Sequence, residues 1–166
     1  MIRPILQFPH PALLKPCDDV RPGDSAFIEE LDALIETHYA QENCAGLAAP
    51  QIGISKRFVI IDFSEKKDKP LVLVNPVITY ASQDLDVEVE GCMSIKGVQA
   101  KVRRPAIISV KANDRNGDEF IMSHVDGFMA RCIQHEVDHL DGRLFWDHLS
   151  TLKKSLLMNQ FKRRYG

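Results

Sequence analysis

The sequence predicts an α+β fold: short antiparallel strands around a central HExxH helix, with an N-terminal and a C-terminal helix. Three observations predict it. Apolar residues recur at helical spacing in three separated segments. Residues 84–90 alternate strictly between apolar and acidic side chains, and Asn116-Gly117 lies between two β-prone runs.

Asp24 is placed to cap a first helix, whose apolar positions Phe27, Ile28, Leu31, Leu34 and Ile35 share a face and which ends before Asn43. Gly46-Leu47-Ala48-Ala49-Pro50-Gln51 follows as an extended loop, because Pro50 argues against helix. Residues 58–63 and 71–77 read as short strands separated by the polar turn 64–69. In residues 84–90, Leu85, Val87 and Val89 face one side and the acids the other, the pattern of a half-exposed strand. Residues 106–112 and 119–125 flank Asn116-Gly117 as a hairpin.

The second helix spans about 127–140 and carries two adjacent stripes that both face inward. One is Phe128, Cys132, His135 and His139; the other is Met129, Ile133, Glu136 and Leu140. Gly142 suits the position just past its end. A third helix follows Asp147 or Ser150, with Leu149, Leu152 and Leu156 as its buried edge.

A length of 166 residues is expected to form a single domain, 1–166, with a substantial core. Hydrophobic content of 45% and charged content of 27% fit a soluble globular protein, and a net charge of -2 gives no argument for DNA or a membrane. No apolar run approaches the roughly 20 residues of a membrane span. Residues 1–14 contain Pro4, Pro9 and Pro11 and lack the apolar core of a signal peptide, so a cytoplasmic location is expected. In that reducing setting Cys17, Cys44, Cys92 and Cys132 are expected to be thiols.

The chemistry-bearing segment is Gln134-His135-Glu136-Val137-Asp138-His139. Residues four apart on a helix share a face, so both imidazoles reach one divalent cation while Glu136 projects beside them toward a bound water. A catalytic site of this kind needs a third protein ligand. Downstream, His148, Asp141 and Asp147 are available. Cys92 is the stronger candidate, because Gly91 before it lets the backbone turn the side chain inward. Taken alone, Cys92 reads as a small buried hydrophobe.

Glu90-Gly91-Cys92-Met93-Ser94 resembles the EGCLS signature of peptide deformylases. Residues 134–142 resemble their QHExDHLxG signature, and residues 44–51 their GxGLAAxQ signature. All three occur in the family's order, and the resemblance covers nearly the whole chain. It implies a metallohydrolase that removes the formyl group from N-terminal formylmethionine of new polypeptides. Carried over residue by residue, the ligands are Cys92, His135 and His139, with Glu136 as general acid/base. Gln51 and the Met93 backbone N–H are implied as oxyanion donors, and Cys44, Ala45, Gly46 and Leu47 as the strand that binds substrate. The family works with Fe²⁺, although a thiolate and two imidazoles suit Zn²⁺ by softness, so zinc is expected as a substitute. The family's pattern also pairs Glu90 with Arg104; the alternative is a solvent-facing Glu90. His10, His38 and His124 show no partner spacing and read as structural or exposed.

The chain departs from the pattern at four places. Cys44 replaces the first Gly, where a side chain crowds the peptide path and a thiol adds an oxidation liability. Met93 stands for Leu and Lys96 for Pro, and Glu88 falls where the family places an apolar wall. Two other classes of function remain open to the sequence: an HExxH peptidase, and a metal-stabilised binding protein with altered or lost specificity. Finally, residues 151–166 carry Lys153, Lys154, Lys162, Arg163 and Arg164 and no acid, which suggests docking on ribosomal RNA beside emerging formylated chains.

Overall fold

A computed structural model describes residues 1–165. Its elements, in chain order, are α1 (Phe27–Tyr39), β1 (Gly46–Ala48), β2 (Phe58–Ile61), β3 (Leu71–Ala81), β4 (Leu85–Cys92), β5 (Ile95–Pro105), β6 (Ile108–Asn113), β7 (Glu119–Val125), α2 (Gly127–Leu140) and α3 (Thr151–Tyr165). Five antiparallel strands form one sheet in the order β1-β2-β3-β6-β7, and β4 pairs with β5 in a separate two-stranded sheet. The α+β class is as predicted. The strands are not all short, because β3 and β5 each run for 11 residues.

The large sheet is covered on both faces, which explains why β2 reads as an unbroken apolar run. Val59 and Ile61, with Ala48, Leu73 and Val110, pack under Ala130, Ile133, Val137 and Leu140 of α2. Phe58 and Ile60, with Leu47, pack under Phe27, Leu31 and Leu34 of α1. Alternation at period two thus sends neighbouring residues of one strand to opposite helices. A third cluster joins Ile95, Val98, Ala100 and Val102 of β5 to Phe145, Trp146 and Phe161.

Helix ends follow local chemistry. Asp24 sits before the true cap, Ala26, and accepts from the Ala26 N–H at 3.0 Å rather than closing the helix itself. The α2 boundaries match the prediction. Gly142, at φ +75°, lets the chain leave α2 where an added Cβ would stand 2.7 Å from the Lys15 backbone.

Several expectations need correction. β5 has no counterpart among the predicted elements, although Val98, Ala100 and Val102 alternate with polar residues. Residues 46–48 are a strand rather than a loop, and residues 49–52 form a 3₁₀ turn that accommodates Pro50. In β4 the acidic side is covered only at Glu90, which is buried, and partly at Asp86, whereas Glu88 and the apolar Leu85, Val87 and Val89 are exposed. The reason is that two buried arginines, Arg104 and Arg131, lie beneath Glu90. In α3, Leu152 and Leu156 are exposed; the helix docks instead through Leu157, Met158 and Phe161, the residues that meet β5 and Trp146. All four cysteines are free thiols. No helix among the described residues is long and apolar enough to cross a membrane.

Candidate active site

The α2 helix lies against β1 and β2 and presents His135, Glu136 and His139 toward the end of β4. Cys92 arrives there because the β4–β5 ladder is irregular between Glu90 and Cys92, at Gly91. Its Sγ lies 3.3 Å from His139 Nε2. The candidate ligand atoms of Cys92, His135 and His139 all fall within 4.8 Å of one another. No other group of three such side chains gathers this way among the described residues. Of the sequence-level candidates for third ligand, Cys92 is the one brought to the pair.

The electrostatics fit a cation. Burial pushes the Cys92 thiol up, but the His139 and His135 side chains more than offset it and bring it down to about 5. The trio thus favours a thiolate beside positive charge, the arrangement a divalent ion provides. His135 Nδ1 lies 2.9 Å from Glu90 Oε1; a carboxylate only accepts, so the proton is on Nδ1 and Nε2 is left for coordination. His139 Nδ1 and Glu136 Oε1 are buried with no hydrogen-bond partner among the described residues. Burial raises the Glu136 carboxyl, against the opposing pull of His135 and His139.

Around the trio the structure adds a network the sequence shows only in part. Arg104 grips Glu90 with both Nε–Oε2 at 2.6 Å and Nη2–Oε1 at 2.9 Å, and reaches Asp138 from Nη1 at 2.9 Å. The predicted Glu90–Arg104 pair is therefore present, and Glu90 is not solvent-facing. Burial opposes the charge on Glu90, yet the His135 and Arg104 hydrogen bonds hold its carboxyl well below the usual range. Asp138 continues to His148 at 2.7 Å. Arg131 makes a further 2.6 Å contact with Glu90. Neither Arg131 nor Ser94 is singled out by the sequence. Only the helical stripe through Cys132 and His135 places Arg131 nearby.

Gln51 is buried and held from both ends. Its Oε1 accepts the Ala48 N–H at 2.9 Å, and its Nε2 lies 3.1 Å from Ser94 Oγ and 3.7 Å from Cys92 Sγ. The Nε2 donor therefore faces the trio. A cavity of about 710 Å³ opens above, lined by Cys44, Ala45, Gly46, Gln51, Cys92 and Met93, with Glu136 at its base and Gly97 and Gln160 toward α3. Leu47 does not line it: its side chain is in the core and it stands opposite Ile60 in the sheet. Glu88 is exposed and does not line it either. Phe128, predicted inward, is half exposed at the cavity and meets Phe63 edge-on.

β1 is an edge strand. Asp62 N–H donates to Ala45 O at 2.9 Å, so residues 45 and 47 pair with β2 and the Gly46 N–H and carbonyl point out of the open edge. Gly46 is required for a second reason, since an added Cβ would stand 2.8 Å from Glu136 Oε2 and 3.2 Å from Ile60 O. Gly46→Ala is expected to displace the carboxylate and lower kcat by about 10²-fold, with folding retained; wild-type kcat would show that Glu136 tolerates the shift.

The Cys44 Sγ lies 3.2 Å from the outward Gly46 carbonyl and donates to it. Burial and the nearby Glu136 push this thiol up to about 12, so it stays protonated and the expected oxidation liability belongs to Cys92 instead. Cys44→Gly frees the carbonyl for an incoming peptide. We expect KM for a peptide substrate to fall about two- to tenfold with the peroxide inactivation rate unchanged. An unaltered KM would show that Gly46 O takes no part in substrate pairing.

A buried carboxylate beside a thiolate and two imidazoles, on an α+β scaffold with an open strand edge, defines a metal-dependent amide hydrolase of the HExxH kind. The model of the polypeptide deformylase family matches residues 2–155, and the chain belongs to that family. It is 48% identical over 153 residues to peptide deformylase 1 of Coxiella burnetii, covering 90% of this chain and 89% of that protein. With a peptide deformylase of Cellvibrio japonicus it shares 41% identity over 162 residues, 98% and 95% of the two chains. The crystal structure of a Legionella pneumophila peptide deformylase superposes with a TM-score of 0.90 at 36% identity, covering 98% of this chain and 95% of that one. That of the Ehrlichia chaffeensis enzyme in complex with actinonin gives 0.89 at 32% identity, covering 99% and 98%.

Proposed function

We propose that this chain removes the N-formyl group from the N-terminal formylmethionine of newly synthesised polypeptides, acting as one catalytic domain in the cytoplasm. The observation that carries the reading is the convergence of Cys92, His135 and His139 beside the unpartnered Glu136 carboxylate, at the open edge of β1. Cys92, His135 and His139 hold the ion. When bound, a divalent cation supplies Lewis acidity and lowers the pKa of a water from about 15.7 toward neutrality. Fe²⁺ is the resident ion in this reading, with Zn²⁺ as a substitute favoured by the same donors; metal analysis of protein prepared without oxygen distinguishes them.

The residues of the chain divide the remaining work. Gly46 pairs with the substrate backbone as a neighbouring strand would, and Cys44 and Ala45 line its path. Gln51 Nε2 and the Met93 N–H donate to the oxyanion as the carbonyl carbon becomes tetrahedral. Glu136 accepts the proton of the attacking water and delivers it to the leaving amine; its raised pKa suits a group that must do both. Glu90 keeps His135 in the tautomer that coordinates. The deciding assay compares a formyl-Met peptide with the same peptide unblocked. Formate release from the first and no cleavage of the second is expected; cleavage of the unblocked peptide would point to a peptidase.

Ribosome docking through the basic end of α3 belongs to the same reading. Arg164 Nη1 donates to Gly97 O at 3.2 Å and Tyr165 packs near Gly97, on the cavity side of β5, so a tail deletion would also disturb the site. Exposed Lys162 and Arg163 are the better probes. The pair Lys162→Glu and Arg163→Glu is expected to weaken low-salt co-sedimentation with ribosomes while short-peptide kinetics stay constant. Equal co-sedimentation would leave this end as ordinary surface.

A further inference from the structure

The inner face of the β4–β5 pair is accounted for by packing and by charge. Ala100 and Val102 join the cluster around Trp146 and Phe161, and Glu90 is held by Arg104. The outer face has no such explanation. Leu85, Val87 and Val89 project there at period two and are 56%, 44% and 53% exposed. Pro105, Arg103 and Lys101 stand directly opposite them, and directly opposed residues share a face. The outer face is therefore two parallel columns, one apolar from β4 and one carrying two exposed cations from β5.

The acids of β4 turn the other way. Asp86, Glu88 and Glu90 oppose Arg104, Val102 and Ala100 on the inner side. Asp86 lies 3.8 Å from Arg131, and Glu90 is bound to Arg104. Lys101 and Arg103 are left without an ion pair among the described residues. A single exposed apolar side chain is ordinary, but three in register beside two unpaired cations make a contiguous patch of the kind that binds partners.

This patch begins at the active-site cavity. Val89 and Gln99 line the cavity, and Val87 and Leu85 follow Val89 away from it, with Arg103 and Pro105 abreast. On the α3 side the way out is narrowed, because Arg164 donates to Gly97 O at 3.2 Å and Tyr165 packs near Gly97. From residue 91 to residue 85 the strand covers about 20 Å at roughly 3.3 Å per residue, the length of about six residues of extended peptide. The chemistry suits a polypeptide rather than a nucleic acid, since a phosphate backbone would use the two cations and leave the three apolar side chains without partners.

We propose that the outer face of β4–β5 is a docking surface for the substrate chain itself, which takes about its fourth to eighth residues and favours segments where acidic and apolar side chains alternate. This inference rests on the deformylase reading above. The acidic side chains of such a segment meet Lys101 and Arg103 while its apolar ones cover Leu85, Val87 and Val89. The surface then ranks new polypeptides by sequence well beyond the residue that bears the formyl group, and short peptides do not report it.

The test uses formyl-Met-Ala-Ser and three eight-residue peptides that extend it by Leu-Glu-Leu-Glu-Leu, Ser-Glu-Ser-Glu-Ser or Leu-Lys-Leu-Lys-Leu. Two quantities are measured, kcat/KM with the metal-loaded enzyme and the dissociation constant with metal-loaded Glu136→Gln. At low salt the Leu/Glu peptide is expected to exceed the Leu/Lys peptide by about five- to tenfold in both, with Ser/Glu between them. At about 1 M salt, where the screening length is about 3 Å, the difference should shrink to within about twofold. The pair Lys101→Glu and Arg103→Glu, both at exposed positions, should reverse the order, with the tripeptide as the reference for each preparation. Equal values for the Leu/Glu and Leu/Lys peptides with the unmodified chain would overturn the proposal without any variant having to fold. A preference that survives the double charge reversal would overturn it equally. So would equal peptides together with binding to phosphatidylglycerol vesicles, or self-association, that the double variant loses; the face would then belong to a membrane or to a second copy. No turnover of any peptide, with the binding order intact, would count against the deformylase reading and leave the docking surface standing.

Discussion

Glu136→Gln is expected to keep its metal and lose its activity. The amide is nearly the same size as the carboxylate, and Glu136 is not one of the three gathered donors, so the trio remains intact. What disappears is the one buried carboxylate oxygen at the site that has no partner among the described residues, and with it the proton transfer. The loss in kcat should be at least about 10²-fold and up to about 10⁴-fold. Cys92→Ala is the necessary contrast. It removes the thiolate and should lose metal, with activity falling as a consequence. Metal content and formate release, measured on the same preparations, separate the two. If Glu136→Gln kept most of its deformylase rate, proton transfer would have to be assigned elsewhere.

Arg104→Met is expected to destabilise the fold and loosen the metal site together. Arg104 is buried and joins Glu90 to Asp138, one of which orients His135 while the other is next to His139 in sequence. Removing the guanidinium leaves two largely buried carboxylates with reduced compensation. Breaking such a network typically costs about 3–5 kcal/mol, and Arg131 and His148 should keep the loss near the lower end. Disturbed support for His135 should also weaken metal binding about 10- to 100-fold. Arg104→Lys keeps the charge without the two-pronged grip and should fall between. Urea unfolding and the rate of metal loss to a chelator measure the two effects. A variant as stable and as metal-retentive as the unmodified chain would mean that Arg131 alone suffices for Glu90.

Much of the chemistry was legible in the sequence because it is local. His135 and His139 share a helix face by periodicity alone, and Glu136 is placed between them by the same rule. The α2 boundaries, the β6–β7 hairpin and the glycine after α2 follow from turn and capping chemistry that acts within a few residues. Cys92 was legible as a candidate third ligand from the Gly91 before it, whereas Gln51 and Gly46 were legible only through resemblance, since nothing in their own segments says that they meet the trio.

The sequence by itself determined the fold class, the metal-binding helix and the family. Only the tertiary structure decided which faces of the elements are buried and how the site is charged. Local pattern marks Leu85, Val87 and Val89 as one face of β4, but it does not show that they are exposed while Glu90, opposite them, is buried against Arg104 from β5 and Arg131 from α2. Likewise, the buried face of α3 is the one opposite Trp146 and β5, and its exposed leucines have nothing to pack against. The unmatched Arg131 donor and the outward Gly46 carbonyl arise in the same way. Burial and hydrogen bonding between residues tens of positions apart are properties of the assembled core, and a periodicity confined to one segment carries no record of what will stand on either side of it.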